Sequence, residues 1–171
     1  MLLAFICVWK MTNNNLILNK ALLDQGYLLL DFPLEETVRD LVIKKDWNNL
    51  DLYFKNQCQK GSPLHSFLNS ILKFQFLEHI IAIRSAPHDE EGIWHDDGSR
   101  LLGFSLSLNL DPASISGGEL RFKPKSSKDM IEFSPLAYGK IVIFLSGLWG
   151  FEHQVGRVIA GERIVIAGWC S

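Results

Sequence analysis

Residues 101–169 run almost entirely at strand period, which constrains the fold more than any other feature of the chain. Leu101–Leu110 alternates, with Phe104, Leu106, Leu108 and Leu110 on one side and Ser105, Ser107 and Asn109 on the other, the two-residue repeat of a strand. Gly117-Gly118 signals a turn before Glu119-Leu120-Arg121-Phe122, Lys123–Lys128 is a polar loop, and Gly139–Leu145 and Arg163–Trp169 are further short apolar strands. Many short strands separated by Gly, Pro and Ser predict a barrel or sandwich. The first half is mixed. Gly26–Phe32 reads as a strand, and Pro33 as the first turn of a helix running to about Val42, with Glu35 and Glu36 placed early, where the helix dipole favours acids. Ser62-Pro63 supplies a cap and first residue for a helix over Leu64–Lys73, and Phe76–Ile83 turns apolar and β-branched, as a strand does. The expected class is mainly β with N-terminal helices, an α+β protein whose helices pack on a β core.

The 171 residues suffice for one domain with a real core. A net charge of −2 supplies no basic footprint for nucleic acid, and none is expected as a partner. Cys7, Cys58 and Cys170 are odd in number and widely spaced; they fit neither a disulfide framework nor a zinc knuckle, and suit a reducing, cytoplasmic setting. The apolar run Met1–Trp9 is too short to span a bilayer and lacks the basic start and small-residue cleavage site of a signal peptide. Residues 1–15 are expected to form a flexible tail ahead of a single domain over 16–171, with its β core from about residue 76. No membrane partner is expected.

Chemistry concentrates in Ile93-Trp94-His95-Asp96-Asp97-Gly98. Alternate residues of a strand share a face, so His95 and Asp97 can reach one ion while Trp94 and Asp96 point away. The pair alone is unspecific: five histidines and ten aspartates give roughly 0.3 chance pairs at this spacing. His88 and Glu90 repeat the spacing, but Pro87 and Asp89-Glu90-Glu91-Gly92 read as a solvated acidic loop. Two later residues give the first pair weight. His153 comes 58 residues after His95, just past a strand, and Arg163 opens the last apolar strand. Two imidazoles and a carboxylate can hold a metal on one side and leave the other open, the donor set of non-haem Fe(II) oxygenases. An arginine in an apolar strand needs a partner if it points inward, and its planar fork suits a carboxylate.

Taken in order, Trp94-His95-Asp96-Asp97, Leu106-Ser107-Leu108-Asn109, Gly117-Gly118-Glu119-Leu120, Gly139–Phe144, His153-Gln154-Val155 and Gly161-Glu162-Arg163-Ile164 resemble the 2-oxoglutarate/Fe(II) dioxygenase superfamily, in its prolyl 4-hydroxylase-like branch. The resemblance implies a double-stranded β-helix, the jelly roll also seen in cupins. It implies His95, Asp97 and His153 as Fe(II) ligands and Arg163 as the partner of the distal carboxylate of 2-oxoglutarate, with Ser107 facing the same pocket. With iron, 2-oxoglutarate and O2 bound, such a site hydroxylates a C–H bond and releases succinate and CO2. Asp97 favours hydroxylation over halogenation, since related halogenases lack the carboxylate. Where the branch often has tyrosines this chain has Ser85 and Ser107, and where a serine or threonine often follows the basic residue it has Val165.

The substrate is unidentified, either a protein side chain or a small molecule. Trp94 and Trp149 are candidates to wall the site or to join the core. Arg84 and Arg100 are candidates for an acidic substrate or for structural ion pairs. Two other readings stay open at this stage: a non-catalytic jelly-roll ligand-binding domain, and a cupin-like metal hydrolase or isomerase. No Gly-x-Ser-x-Gly elbow points to a serine hydrolase.

Overall fold

The computed structural model describes residues 15–171; the tail expected at 1–15 lies, but for its last residue, outside them. Helix α1 covers residues 15–25. Strand β1 (Tyr27–Asp31), helices α2 (Glu36–Lys44), α3 (Trp47–Gln57) and α4 (Pro63–Ile71), and strand β2 (Leu77–Ser85) complete the first half. The rest is β3 (Leu102–Ser107), β4 (Ser116–Gly117), β5 (Leu120–Pro124), β6 (Ile131–Phe133), β7 (Lys140–Leu145), β8 (Phe151–Val155), β9 (Val158–Ala160) and β10 (Glu162–Cys170), with short 3-10 turns at Pro112–Ser114 and Gly147–Trp149.

Local chemistry explains most boundaries. Helix α4 begins with Ser62 extended and Pro63 in its first turn, as expected, but the Ser62 hydroxyl donates to Asn56 O at 2.7 Å rather than capping its own helix. Helix α2 departs from expectation. Pro33 does not start it; the helix begins at Glu36, behind an extended Glu35. Phe32 N donates to Gly139 O at 2.8 Å, which carries the β1–β7 ladder one residue further, and a residue before proline avoids helical backbone. Helices α1 and α3 were not anticipated. For α3 a signal was present: Asp46 caps it by accepting from Asn49 N at 3.3 Å, and Leu50 and Phe54, one turn apart, are fully buried.

Two antiparallel sheets face each other. The larger runs β1-β7-β3-β10-β2, the smaller β6-β5-β8, and β4 pairs with β9. Strand alternation gives the larger sheet two distinct faces. Leu28, Leu102, Leu106, Ile141, Ile143, Ile164 and Ile166 form one core with Leu22, Val38, Val42, Leu50, Phe54, Leu64 and Leu68 of the helices. The other face turns toward the smaller sheet, where Val142 and Phe144 pack on Leu120 and Phe122. The Phe122 ring is stacked 5.5 Å from Phe144 and meets Tyr27 edge-on at 5.3 Å. The polar side of β3 follows this inner face: Ser105, Ser107 and Asn109 are all buried between the sheets.

Candidate metal centre

Backbone pairing brings the two outer histidines together. His95 N donates to His153 O at 3.1 Å and His153 N to His95 O at 2.8 Å, an isolated antiparallel bridge between the 92–97 segment and β8. Residues directly opposite on such a ladder put their side chains on the same face, and the two imidazole centroids are 4.2 Å apart. Asp97, two residues beyond His95, joins them. One nitrogen from each imidazole and one Asp97 oxygen all lie within 4.8 Å of one another. Asp96 is turned away, held by Lys125 and by the N–H of Gly98 at 2.7 Å; these contacts keep its carboxyl below the usual range.

Each of the three side chains is aimed by a neighbour. His95 Nδ1 lies 2.9 Å from Ile93 O, and a carbonyl only accepts, so Nδ1 donates there and Nε2 is the ring nitrogen left to face a metal. Ser146, fully buried at the end of β7, donates its hydroxyl to Asp97 Oδ2. No sequence signal marked Ser146, an isolated serine after an apolar strand. Gly147 follows it for a steric reason: a Cβ there would fall 2.1 Å from Gly98 O, so only glycine lets this turn pack on the turn behind Asp97. Burial holds the His153 imidazole below its ordinary value, against the pull of Asp97, and a neutral imidazole is the form that binds metal.

The segment carrying His95 is tethered over its length. Arg84, on β2, donates to Asp89 Oδ1 at 2.9 Å, to Val155 O at 3.1 Å and to Glu90 O. Asp89 also accepts from Val158 N at 2.7 Å. Glu91 accepts from Arg121 at 2.8 Å and from Arg157 N at 2.8 Å, and Gln154 Nε2 reaches Gly92 O at 2.5 Å. The acidic run is therefore a set of anchors rather than the solvated loop expected, although His88 and Glu90 are exposed as expected. Burial raises the Asp89 carboxyl, but the Val158 N–H and Arg84 more than offset this and the net shift is downward. A carboxyl held below its unfolded value stabilises the fold above pH 4 and ceases to do so as pH falls through its folded value. Asp89→Asn is expected to cost about 1.5–3 kcal/mol at pH 7 and to flatten the acid side of a plot of melting temperature against pH; an unchanged acid limb would show that the Arg84–Asp89 tether is not stabilising.

Between the sheets lies a cavity of about 220 Å³ whose lining includes His95, His153, Arg163, Ser105, Val165 and Ala167. Arg163 is 4% exposed, and among the described residues no carboxylate or carbonyl lies within bonding distance of its guanidinium. Burial, with repulsion from Arg84 opposite it in register, pushes Arg163 down to about 10, so it remains a cation at neutral pH. Gly118, at φ +73°, makes room for it: a Cβ there would lie 3.0 Å from Arg163 Cδ. The double glycine noted in the sequence thus serves the arginine stem. Ser107 sits beside Arg163 on a smaller crevice. Its hydroxyl donates to Leu136 O at 2.5 Å and accepts from Asn109 Nδ2 at 2.9 Å, while Asn109 Oδ1 accepts from Ile164 N at 2.7 Å. Ser85 is an exposed residue at the end of β2.

The aromatic and cationic neighbours sort differently. Lys123 Nζ lies 4.5 Å over the Trp94 ring, and Trp149 is 46% exposed on the 3-10 turn. Arg100 pairs with Glu78 at 3.0 Å and lies 5.6 Å over Trp169, a structural arrangement.

A sequence profile described as the 2OG-Fe(II) oxygenase superfamily matches residues 75–171, more than half of the chain. The chain belongs to this superfamily. Superfamily membership brings Fe(II), 2-oxoglutarate and O2, and the residues fit them. His153 Nδ1 is buried without a hydrogen-bond partner among the described residues and stands 3.8 Å from Asp97 Oδ2. An orphaned imidazole nitrogen next to a carboxylate suits a metal donor set. A PKHD-type hydroxylase of Maricaulis maris is 28% identical over 122 residues, which cover 67% of this chain and 52% of that protein. The chain thus spans about half the length of that relative. Among solved structures, a prolyl-4-hydroxylase of Pseudomonas putida superposes with a TM-score of 0.65 at 20% identity, covering 91% of this chain and 90% of that one. A prolyl hydroxylase of Trichoplax adhaerens, in complex with a hypoxia inducible factor oxygen degradation domain peptide fragment, gives 0.64 at 14% identity, covering 95% and 91%. These superpositions establish the fold as the double-stranded β-helix of prolyl hydroxylases, the jelly roll that the sequence resemblance implied.

Proposed function

We propose that this protein is an Fe(II)- and 2-oxoglutarate-dependent dioxygenase that hydroxylates a C–H bond of its substrate. The observation that carries the reading is Arg163: a buried cation that lines the same cavity as His95 and His153. In this reading His95, Asp97 and His153 hold the iron, and Arg163 grips the distal carboxylate of 2-oxoglutarate. When bound, the iron and its cosubstrates supply oxidative decarboxylation to succinate and CO2 coupled to insertion of one oxygen atom into the substrate.

The chain's own residues supply placement. The His95–His153 bridge sets the spacing of the imidazoles, and Ser146 fixes the rotation of Asp97. Val165 and Ala167 make part of the cavity wall apolar, which disfavours water and strengthens the pairing of Arg163 with an anion. Ser107 has already given its one proton to Leu136 O, so its part is to hold Asn109, and through it the backbone beside Arg163.

At about 220 Å³ the cavity is smaller than the roughly 300–1,000 Å³ of a pocket for a drug-sized ligand. It has room for a five-carbon diacid and little more. His95 is exposed while His153 is buried, so the substrate approaches from the His95 side and presents one group at the rim. That favours a side chain on a larger molecule, and the prolyl hydroxylase solved with a peptide is a precedent for it. The test is succinate formation from 2-oxoglutarate by anaerobically iron-loaded protein given O2, with a zinc-loaded sample as control. Equal turnover in both, or none in either, counts against the reading.

A further inference from the structure

On the far side of β2 from the cavity, three side chains form a relay that the iron site does not use. Ile80, Ala82 and Arg84 face the cavity; His79 projects the opposite way, toward α3. Its Nε2 lies 3.1 Å from Asp51 Oδ1 and its Nδ1 lies 3.5 Å from Cys58 Sγ. A carboxylate oxygen accepts, so Nε2 donates to Asp51, and in the neutral ring that tautomer turns the Nδ1 lone pair to the thiol. The Phe54 ring, 6.3 Å from the imidazole, backs it, and the His79 side chain is 8% exposed. Cys58 opens onto a hollow of about 470 Å³. A nucleophile, a base within hydrogen-bond reach and a third group that orients the base are the recurring parts of an activated side chain.

We propose that Cys58, His79 and Asp51 form a second reactive site, in which His79 serves as general base for attack of the Cys58 thiol on a small polar carbon electrophile. In the step the Cys58 Sγ–H proton passes to His79 Nδ1 while the sulfur electron pair forms an S–C bond. The leaving group departs from that carbon with its own electron pair, and His79 then releases the proton to water. Asp51 holds the ring in the working tautomer and balances the imidazolium. The base is needed. Burial, with the Asp51 charge adding to it, pushes the Cys58 thiol up to about 11, and the thiol sits at the C-terminal end of α3, where the helix dipole disfavours an anion. Free thiolate at pH 7 is then on the order of one part in ten thousand. The other ionisable groups around the hollow are Lys60, His65 and Glu78, Glu78 being paired with Arg100; Cys170 lies behind Cys58, fully buried.

Iodoacetamide supplies a suitable probe, with iodide as leaving group. Alkylation of Cys58 in the full-length protein is followed by peptide mass mapping between pH 5.5 and 9.5. The expected rate reaches a plateau within this range, because His79 rather than hydroxide takes the thiol proton. His79→Gln removes the plateau and slows the reaction at pH 7 by about tenfold or more; Asp51→Asn slows it less, in the same direction. A rate that climbs tenfold per pH unit across the whole range, as a free thiol near 11 would, overturns the proposal, and so do rates unchanged in both variants. Should circular dichroism show His79→Gln unfolded, Asp51→Asn decides the matter, because Asp51 is exposed and its replacement leaves the core intact.

Discussion

Asp97→Ala is expected to abolish iron retention and to lower succinate formation by about a thousandfold or more. A loss of this size reflects the several kcal/mol that a bound metal contributes to such reactions, at 1.36 kcal/mol for each tenfold. The variant should still fold. The His95–His153 bridge is made of backbone hydrogen bonds, and the local loss is the acceptor of the buried Ser146 hydroxyl, worth about 1–3 kcal/mol. Iron content after anaerobic reconstitution, measured beside activity, separates lost metal from lost fold. His88→Ala is the control: His88 has the same spacing to a carboxylate but is exposed, and its loss should leave iron content unchanged. An Asp97→Ala protein that keeps iron and turnover would remove Asp97 from the ligand set.

Replacing Arg163 by leucine should move activity and stability in opposite directions. The guanidinium is held at about 10, against an ordinary value of 12.5, and that depression corresponds to about 3 kcal/mol spent on keeping the charge buried. Removing a partnerless charge returns part of this, so ligand-free Arg163→Leu should melt roughly 3–10 °C higher than the parent, given 2–4 °C for each kcal/mol at this size. With 2-oxoglutarate present the sign reverses. A charge-assisted pair worth about 1.5–3 kcal/mol is lost, raising the concentration of 2-oxoglutarate required by about ten- to a hundredfold, while iron binding stays intact. An unchanged requirement would mean that another cation, Arg84 being the nearest in the cavity, makes the contact.

Much of this site could be read from the chain before its fold was known, because its signals are local. His95 and Asp97 are two residues apart in an extended segment, and the serines of β3 alternate with leucines, so two-residue periodicity alone separates Asp97 from Asp96 and places Ser105 and Ser107 together. The order of the motifs pointed to His153, which the fold brings beside His95 and Asp97. What escaped is what depends on distant segments meeting. Ser146 lies 49 residues from Asp97, and nothing in its neighbourhood announces the contact. The acidic run after Pro87 looks solvated until Arg84, Arg121 and the N–H groups of Arg157 and Val158 arrive from four other strands and turns. The start of α2 departs from expectation for a related reason: Gly139, far along the chain, keeps Phe32 in the sheet.

The bridge between His95 and His153 also bears on how a metal would leave. Its two hydrogen bonds are joined by one more backbone bond to β8, from Gly92 N to Val155 O, and His95 itself lies outside any named strand. With the proposed ligand set, releasing the ion requires the stretch around His95 to lift from β8 between two fixed points, the anchors at Glu91 and Gly92 on one side and Asp97, fastened to Ser146, on the other. Metal exchange is then a local opening reaction, governed by the fraying of a few residues and not by global stability. The bound ion and the order of residues 92–97 become two readings of one equilibrium.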